Sequence, residues 1–335
     1  RGQGGRGQES SGQGGSGSRG RGPQGGGRGR DARRRTLPGV SFTVACDESD
    51  VERETERRRV VELAASAAGP LTERTLRHLV ERTPEGFLVD VRAHRILTQH
   101  PAPMESLWPE VRDRLTPAAR AKTVLHPDEV TPTVLDAALD RFLRQIAPLV
   151  EYSRLGVVTF SFPSYFTPGT RANEYLEWIR VRCGDLPVAV EFRRREWLDT
   201  KHREETLAFL EAQRLTYVCV DAPQGSDTAV PPVAAATTPG LAVVRFHGRN
   251  LDAWERTVDD PVARPRYEYR RGDLEAWVPR IEKLAQGGRK VHVVMANGPT
   301  DLAGRNAALC MKVCTEDPDA RPPEPPPRPA PRRRR

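Results

Sequence analysis

Long apolar runs, paired cysteines and aromatic side chains are all scarce in this 335-residue chain. No apolar stretch approaches the roughly 20 residues that a bilayer-spanning helix needs, so no membrane partner is expected. The N-terminus lacks the apolar core of a secretory signal. Five cysteines occur, at positions 46, 183, 219, 310 and 314, and no two of them form a Cys-x-x-Cys pair. That pattern argues against a disulfide framework or a structural zinc, and it points to a reduced, cytoplasmic protein. No His-x-x-x-His motif is present, so no metal is expected, and no cofactor can be named. There is also no Gly-rich turn after the first strand, the usual sign of an open, doubly wound nucleotide-binding sheet.

What is present is uneven. Lysine and arginine total 53 against 45 acidic residues, a net charge of +8 and a pI near 9.6. Residues 1–35 are almost all Gly, Arg, Gln and Ser, and residues 316–335 are Pro- and Arg-rich. Neither end has apolar surface to offset the entropy of ordering, so both are expected to be disordered tails. Runs such as Arg19-Gly20-Arg21-Gly22 resemble RNA-binding segments, but the first 35 residues have no aromatic to stack on bases. Residues 36–315 have ordinary composition and a length suited to one α/β domain.

Within that span, short apolar runs alternate with helical patterns. Strands are expected at Val40–Cys46, Val60–Ala64, Phe87–Val91, Leu155–Phe160, Val188–Phe192, Thr216–Val220, Leu241–Phe246 and Val291–Met295. Helical spacing is read at 48–59, after Thr72, and over 135–150, 171–181, 204–214, 274–284 and after Gly304. The stretches 100–131 and 222–240 are proline-rich and carry no clear pattern. Eight continuous apolar strands separated mostly by helices predict a TIM-type (β/α)8 barrel with strands buried on both faces.

The charged residues that interrupt these strands mark the site. Glu191 and Arg193 lie two residues apart at one strand end, and Arg245 and His247 repeat that spacing at another. Alternate residues of a strand share a face, and buried charges are costly unless paired or used.

With these residues placed, the chain resembles the domain of unknown function 72 family (YecE-like). The likeness keeps its order from about Val60 to Val313. It rests on Val61-Glu62-Leu63, Pro84–Phe87, Phe162-Pro163-Ser164-Tyr165-Phe166, Val190–Arg193 with Trp197, Val244–Arg249, and Met295-Ala296-Asn297 with Asn306-Ala307. The resemblance implies a TIM-type barrel. The family's Gly-Thr-Ser-Gly-Trp-Ser-Tyr first strand is missing, so an atypical or incomplete first strand is expected. Ala64, Arg92, Arg194 and Ala296 stand where the family has Asn, Lys, His and Asn.

In such a barrel, sites form at the C-terminal ends of the strands. The groups expected to converge there are Glu62, Arg92, Glu191, Arg193, Asp221, Arg245, His247 and Asn297. Glu62, Glu191 and His247 are the candidate acid–base residues. Arg193, Asp221, Arg245, Gly248, Arg249 and Asn297 are the candidate binding set, with Gly248 and the flanking arginines suited to an oxyanion. Any one of these charges has an equal claim to being half of a structural ion pair. The reading is an anion pocket acting on a phosphorylated, sugar-like or nucleic-acid substrate by acid–base chemistry. The alternative is a non-enzymatic protein that binds nucleic acid or phosphate through its mouth and basic tails.

Overall fold

The computed structural model describes residues 36–69 and 71–316. The tails expected at 1–35 and 316–335 lie outside the described residues, Glu316 excepted. Eight parallel strands close into a barrel: β1 Val40–Cys46, β2 Val60–Leu63, β3 Leu88–Arg92, β4 Leu155–Ser161, β5 Val188–Glu191, β6 Thr216–Asp221, β7 Leu241–Phe246 and β8 Lys290–Met295. The first strand is complete. It runs five residues along β8 and two along β2, and so closes the ring. Its content is unusual rather than its pairing.

Side-chain caps open some of the surrounding helices. Helix α1 spans Glu48–Thr55, α2 Glu73–Arg82 and α3 Pro132–Glu151. The Thr72 hydroxyl accepts from the Thr75 amide at 3.0 Å, and the Thr131 hydroxyl from the Val134 amide at 3.4 Å. Helix α3 lays Val134, Ala138, Phe142, Ile146 and Leu149 against the barrel at helical spacing. Helices α4 Thr170–Cys183, α5 Arg203–Ala212, α6 Leu251–Thr257, α7 Val278–Leu284 and α8 Thr300–Thr315 follow.

Several expectations are corrected. The first helix stops at Thr55 and is not simply exposed, because Val51 and Glu54 are buried and Glu54 pairs with Arg58 at 2.6 Å. The helix expected over 274–284 is split into Arg271–Glu275 and α7. Pro279 lacks an amide hydrogen and fits only a first helical turn, so the second piece must begin just before it. Helix α8 begins at Thr300 and runs through Gly304 instead of following it. The β6–β7 connection, 222–240, carries no helix.

Register decides which side chains enter the barrel, since paired residues of parallel strands share a face. Arg245 pairs with Val220, whereas Asp221 pairs with Phe246, so Asp221 points away from the side that Arg245 takes. Glu62 pairs with Asp90, Arg92 with Thr159, and Ser161 with Glu191. These inward residues form successive polar layers along the barrel axis.

Candidate functional site

At the C-terminal mouth, Glu62, Glu191, Arg193, Arg245 and His247 form one connected cluster, each at most 3% exposed. The Arg245 guanidinium holds Glu62 in a two-pronged pair, with Nη2 to Oε1 at 2.8 Å and Nη1 on Oε2. Its Nε lies 3.3 Å from Glu191. Glu191 also accepts from the Ser161 hydroxyl at 2.8 Å, from His247 Nε2 at 2.8 Å and from Arg193 Nε at 3.3 Å.

These contacts set the charge states. Burial alone would favour a neutral Glu191, but His247, Arg245 and Arg193 outweigh it and hold the carboxyl well below its usual range. Burial likewise opposes the charge on Arg245, and Glu62 and Glu191 raise its pKa in spite of that. Burial pushes His247 down to about 4, against the pull of Glu191. An ionised Glu191 can only accept, so Nε2 of a neutral His247 carries the proton and Nδ1 keeps a lone pair.

Arg92 enters the same mouth on β3 and is 2% exposed. No carboxylate lies within ion-pair distance of it among the described residues. Its Nη1 donates to the Pro261 carbonyl. Burial first, and the nearby Arg245 second, lower its pKa to about 9. Three guanidiniums, Arg92, Arg193 and Arg245, therefore share the mouth with Glu62 and Glu191, with Asp90 of β3 also acting on Arg245, and of the three only Arg92 has no ion-pair partner among the described residues. Five buried atoms here have no hydrogen-bond partner: Arg92 Nε, Arg245 Nε, His247 Nδ1, Asn297 Oδ1 and His100 Nε2. Burial and the charges of Arg193 and Arg92 push His100 well below its ordinary value.

The segment after α6 lies across this cluster. Arg193 Nη1 donates to the Val258 carbonyl and lies 3.5 Å from that of Asp260. The Asp259 carboxylate accepts from the Ser164 amide at 2.7 Å and from its hydroxyl at 3.0 Å, fastening the segment to the β4–α4 loop. Trp254 lies beneath the Arg193 guanidinium at 5.4 Å and meets the His247 ring edge-on at 5.1 Å.

The sequence description "Protein of unknown function DUF72" matches residues 48–331. The chain belongs to the DUF72 family. It is 29% identical over 257 residues to the UPF0759 protein YunF of Bacillus subtilis (strain 168), covering 76% of this chain and 82% of that protein. A DUF72 family structure from Enterococcus faecalis V583 superposes with a TM-score of 0.67 at 22% identity, covering 82% of this chain and 97% of that one. One from Thermotoga maritima MSB8 superposes at 0.60 and 25% identity, covering 82% and 98%. The barrel is thus shared with the two DUF72 family structures.

Not every expected residue joins the cluster. Asp221 faces outward and is saturated: it accepts from Tyr269 Oη at 2.7 Å, Trp277 Nε1 at 2.7 Å, and Arg249 Nε and Nη2 at 3.1 and 2.8 Å. Arg249 also reaches Asp273 at 3.0 Å. The pair expected to help grip an anion instead ties β6 to the layer outside the barrel. Gly248 makes the turn, with φ +89° and an amide that donates to Tyr269 Oη at 2.8 Å. A Cβ there would lie 2.4 Å from that of Tyr267. Asn297 sits beside Gly248, its amide nitrogen donating to the Tyr267 carbonyl.

Ser161, His100 and the Val258–Pro261 segment are absent from the expected set. Ser161 had a signal, since it ends a strand on the inward parity. His100 and the segment after α6 lie in connections with no periodic pattern. Among the described residues, no group of three or more His, Cys, Asp or Glu side chains is placed to hold a metal ion, and no helix is long and apolar enough to cross a membrane.

Proposed function

We propose that the DUF72 mouth binds a small anionic molecule, phosphorylated or sugar-like, and that His247 performs acid–base chemistry on it. The observation that carries this reading is Arg92, a guanidinium 2% exposed with no carboxylate beside it. A buried charge without a counter-charge is expensive, and a ligand anion is the group that would balance it. Arg92 and Arg193 form the clamp, and the carbonyls of Pro261 and Val258 occupy the donors that ligand oxygens would take.

In this reading the roles within the cluster shift. Glu62 and Glu191 are each held by guanidinium groups and serve as fixed negative walls rather than as proton acceptors. Glu191 orients His247, whose Nδ1 lone pair is the available base. Asn297 Oδ1 offers a further acceptor, suited to a ligand hydroxyl.

The rival reading, nucleic-acid binding through the mouth and basic tails, depends largely on residues outside those described. Calorimetric titration of the full chain with inorganic phosphate, a sugar phosphate and an oligonucleotide separates the two. Binding of the small anions that is lost in Arg92→Met and kept in His247→Gln supports the pocket, and turnover that is lost in His247→Gln although binding is kept supports the chemistry. Oligonucleotide binding that survives Arg92→Met, with no small-anion binding, would overturn the pocket in favour of the tails.

A further inference from the structure

Below the mouth cluster, towards the N-terminal opening of the barrel, lies a second buried polar pair, beginning with Asp90 beside Glu62 in the strand register. Asp90 on β3 and His292 on β8 both point inward, with Nδ1 of His292 2.9 Å from the carboxylate. Asp90 is 1% exposed and His292 2%. The far ring nitrogen, Nε2, has no hydrogen-bond partner among the described residues, and His292 lines a cavity of about 810 Å³ at the N-terminal opening of the barrel.

Two features make this opening more than an unfilled end. TIM barrels are ordinarily packed with side chains throughout. Here the inward position on β4 is Gly156, and a Cβ on it would lie 2.0 Å from Asp90 Oδ1 and 3.2 Å from His292 Cε1. The missing side chain makes room for the pair and leaves the imidazole at the floor of the cavity. The wall above it is apolar, with Leu88, Leu155, Leu186 and Leu241 each half-buried around the opening.

The rim is cationic. Arg180, Arg214 and Lys290 line it against a single acid, Asp185. Arg180 is occupied by the carbonyls of Leu186 and Arg214. Arg214 and Lys290 are exposed and make no ion pair among the described residues.

We infer that this opening is a second ligand site, for a small organic anion with an apolar body, read by His292 at the floor and by Arg214 and Lys290 at the rim. The leucine ring takes the body, the rim cations take the charge, and the far end of the ligand stands against the imidazole held by Asp90. A bare inorganic anion would use the rim and leave the leucine ring unused.

The test is a titration of the full chain followed through the imidazole nitrogens by NMR. The His292 signal is identified by its loss in His292→Gln, and the probes are hexanoate and, separately, inorganic phosphate. Hexanoate is expected to shift the His292 signal saturably, with a Kd on the order of 1 mM. Joint Arg214→Glu and Lys290→Glu replacement should weaken it about tenfold, while Arg92→Met at the mouth leaves it unchanged. The replaced rim side chains are exposed, and a thermal melt confirms that the variant folds. No saturable shift, an equal shift in the rim variant, a shift abolished by Arg92→Met, or phosphate matching hexanoate would each overturn the assignment.

Discussion

Replacing Arg245 with alanine is the most informative perturbation of the mouth. Both oxygens of Glu62 rest on Arg245, and both residues are 1% exposed. Glu191 would keep Ser161, His247 and Arg193, so the loss falls almost entirely on Glu62. Breaking a buried pair by removing one partner costs about 3–5 kcal/mol, a large share of a total stability of about 5–15 kcal/mol. The double variant Glu62→Met/Arg245→Met strands no charge on Glu62, and it should cost less than the single change. Urea denaturation of the wild type and both variants reads this. A single-variant deficit below about 1 kcal/mol, or a double variant less stable than the single, would refute the view that the pair compensates buried charge.

Three further outcomes follow from the same structure. His247 and His94 are pushed down to about 4 and about 3 by burial, and His100 also lies well below its ordinary value. The unfolded chain therefore takes up protons that the folded one refuses, so stability is complete above about pH 6.5 and falls as pH drops towards 4, by about 3 kcal/mol for His247 alone. A stability that is flat between pH 7 and 5 in urea melts would contradict this. Gly248→Ala should destabilise by about 2 kcal/mol or more, because φ is +89° and the new Cβ meets Tyr267; a melting temperature matching the wild type would show that the turn tolerates the change. Asp259→Ala removes both bonds to Ser164 and should speed hydrogen exchange in the segment from Val258 to Pro261 without altering the barrel strands. Unchanged exchange there would mean that the arginine contacts alone hold the segment.

The barrel was legible because its strands are continuous apolar runs and its helices carry regular spacing, two of them behind threonine caps. All eight strands fall within about a residue or two of their expected limits. The core of the site was legible for the same reason: Glu191 and Arg193, and Arg245 and His247, share a strand parity, and that parity is what the barrel turns inward. Asp221 shows where parity needs register as well. It ends a strand like the others, but pairs with Phe246 rather than Arg245 and so faces the outer layer. Arg249 and Gly248 go with it, because the turn after β7 aims the backbone amide at Tyr269. His100 and the covering segment were not legible, since loop geometry follows from tertiary contacts between Arg92, Arg193 and distant carbonyls that no local pattern encodes.

The central claim is that Arg92 is an unmatched buried cation awaiting an anion. Its most direct test is the melting temperature of the wild type and Arg92→Met, with and without saturating sugar phosphate. Without ligand the variant is expected to melt at or above the wild-type temperature, because it sheds an uncompensated charge. With ligand only the wild type should rise, by mass action. A variant that melts well below the wild type without ligand, or that gains as much from the ligand, would contradict the account.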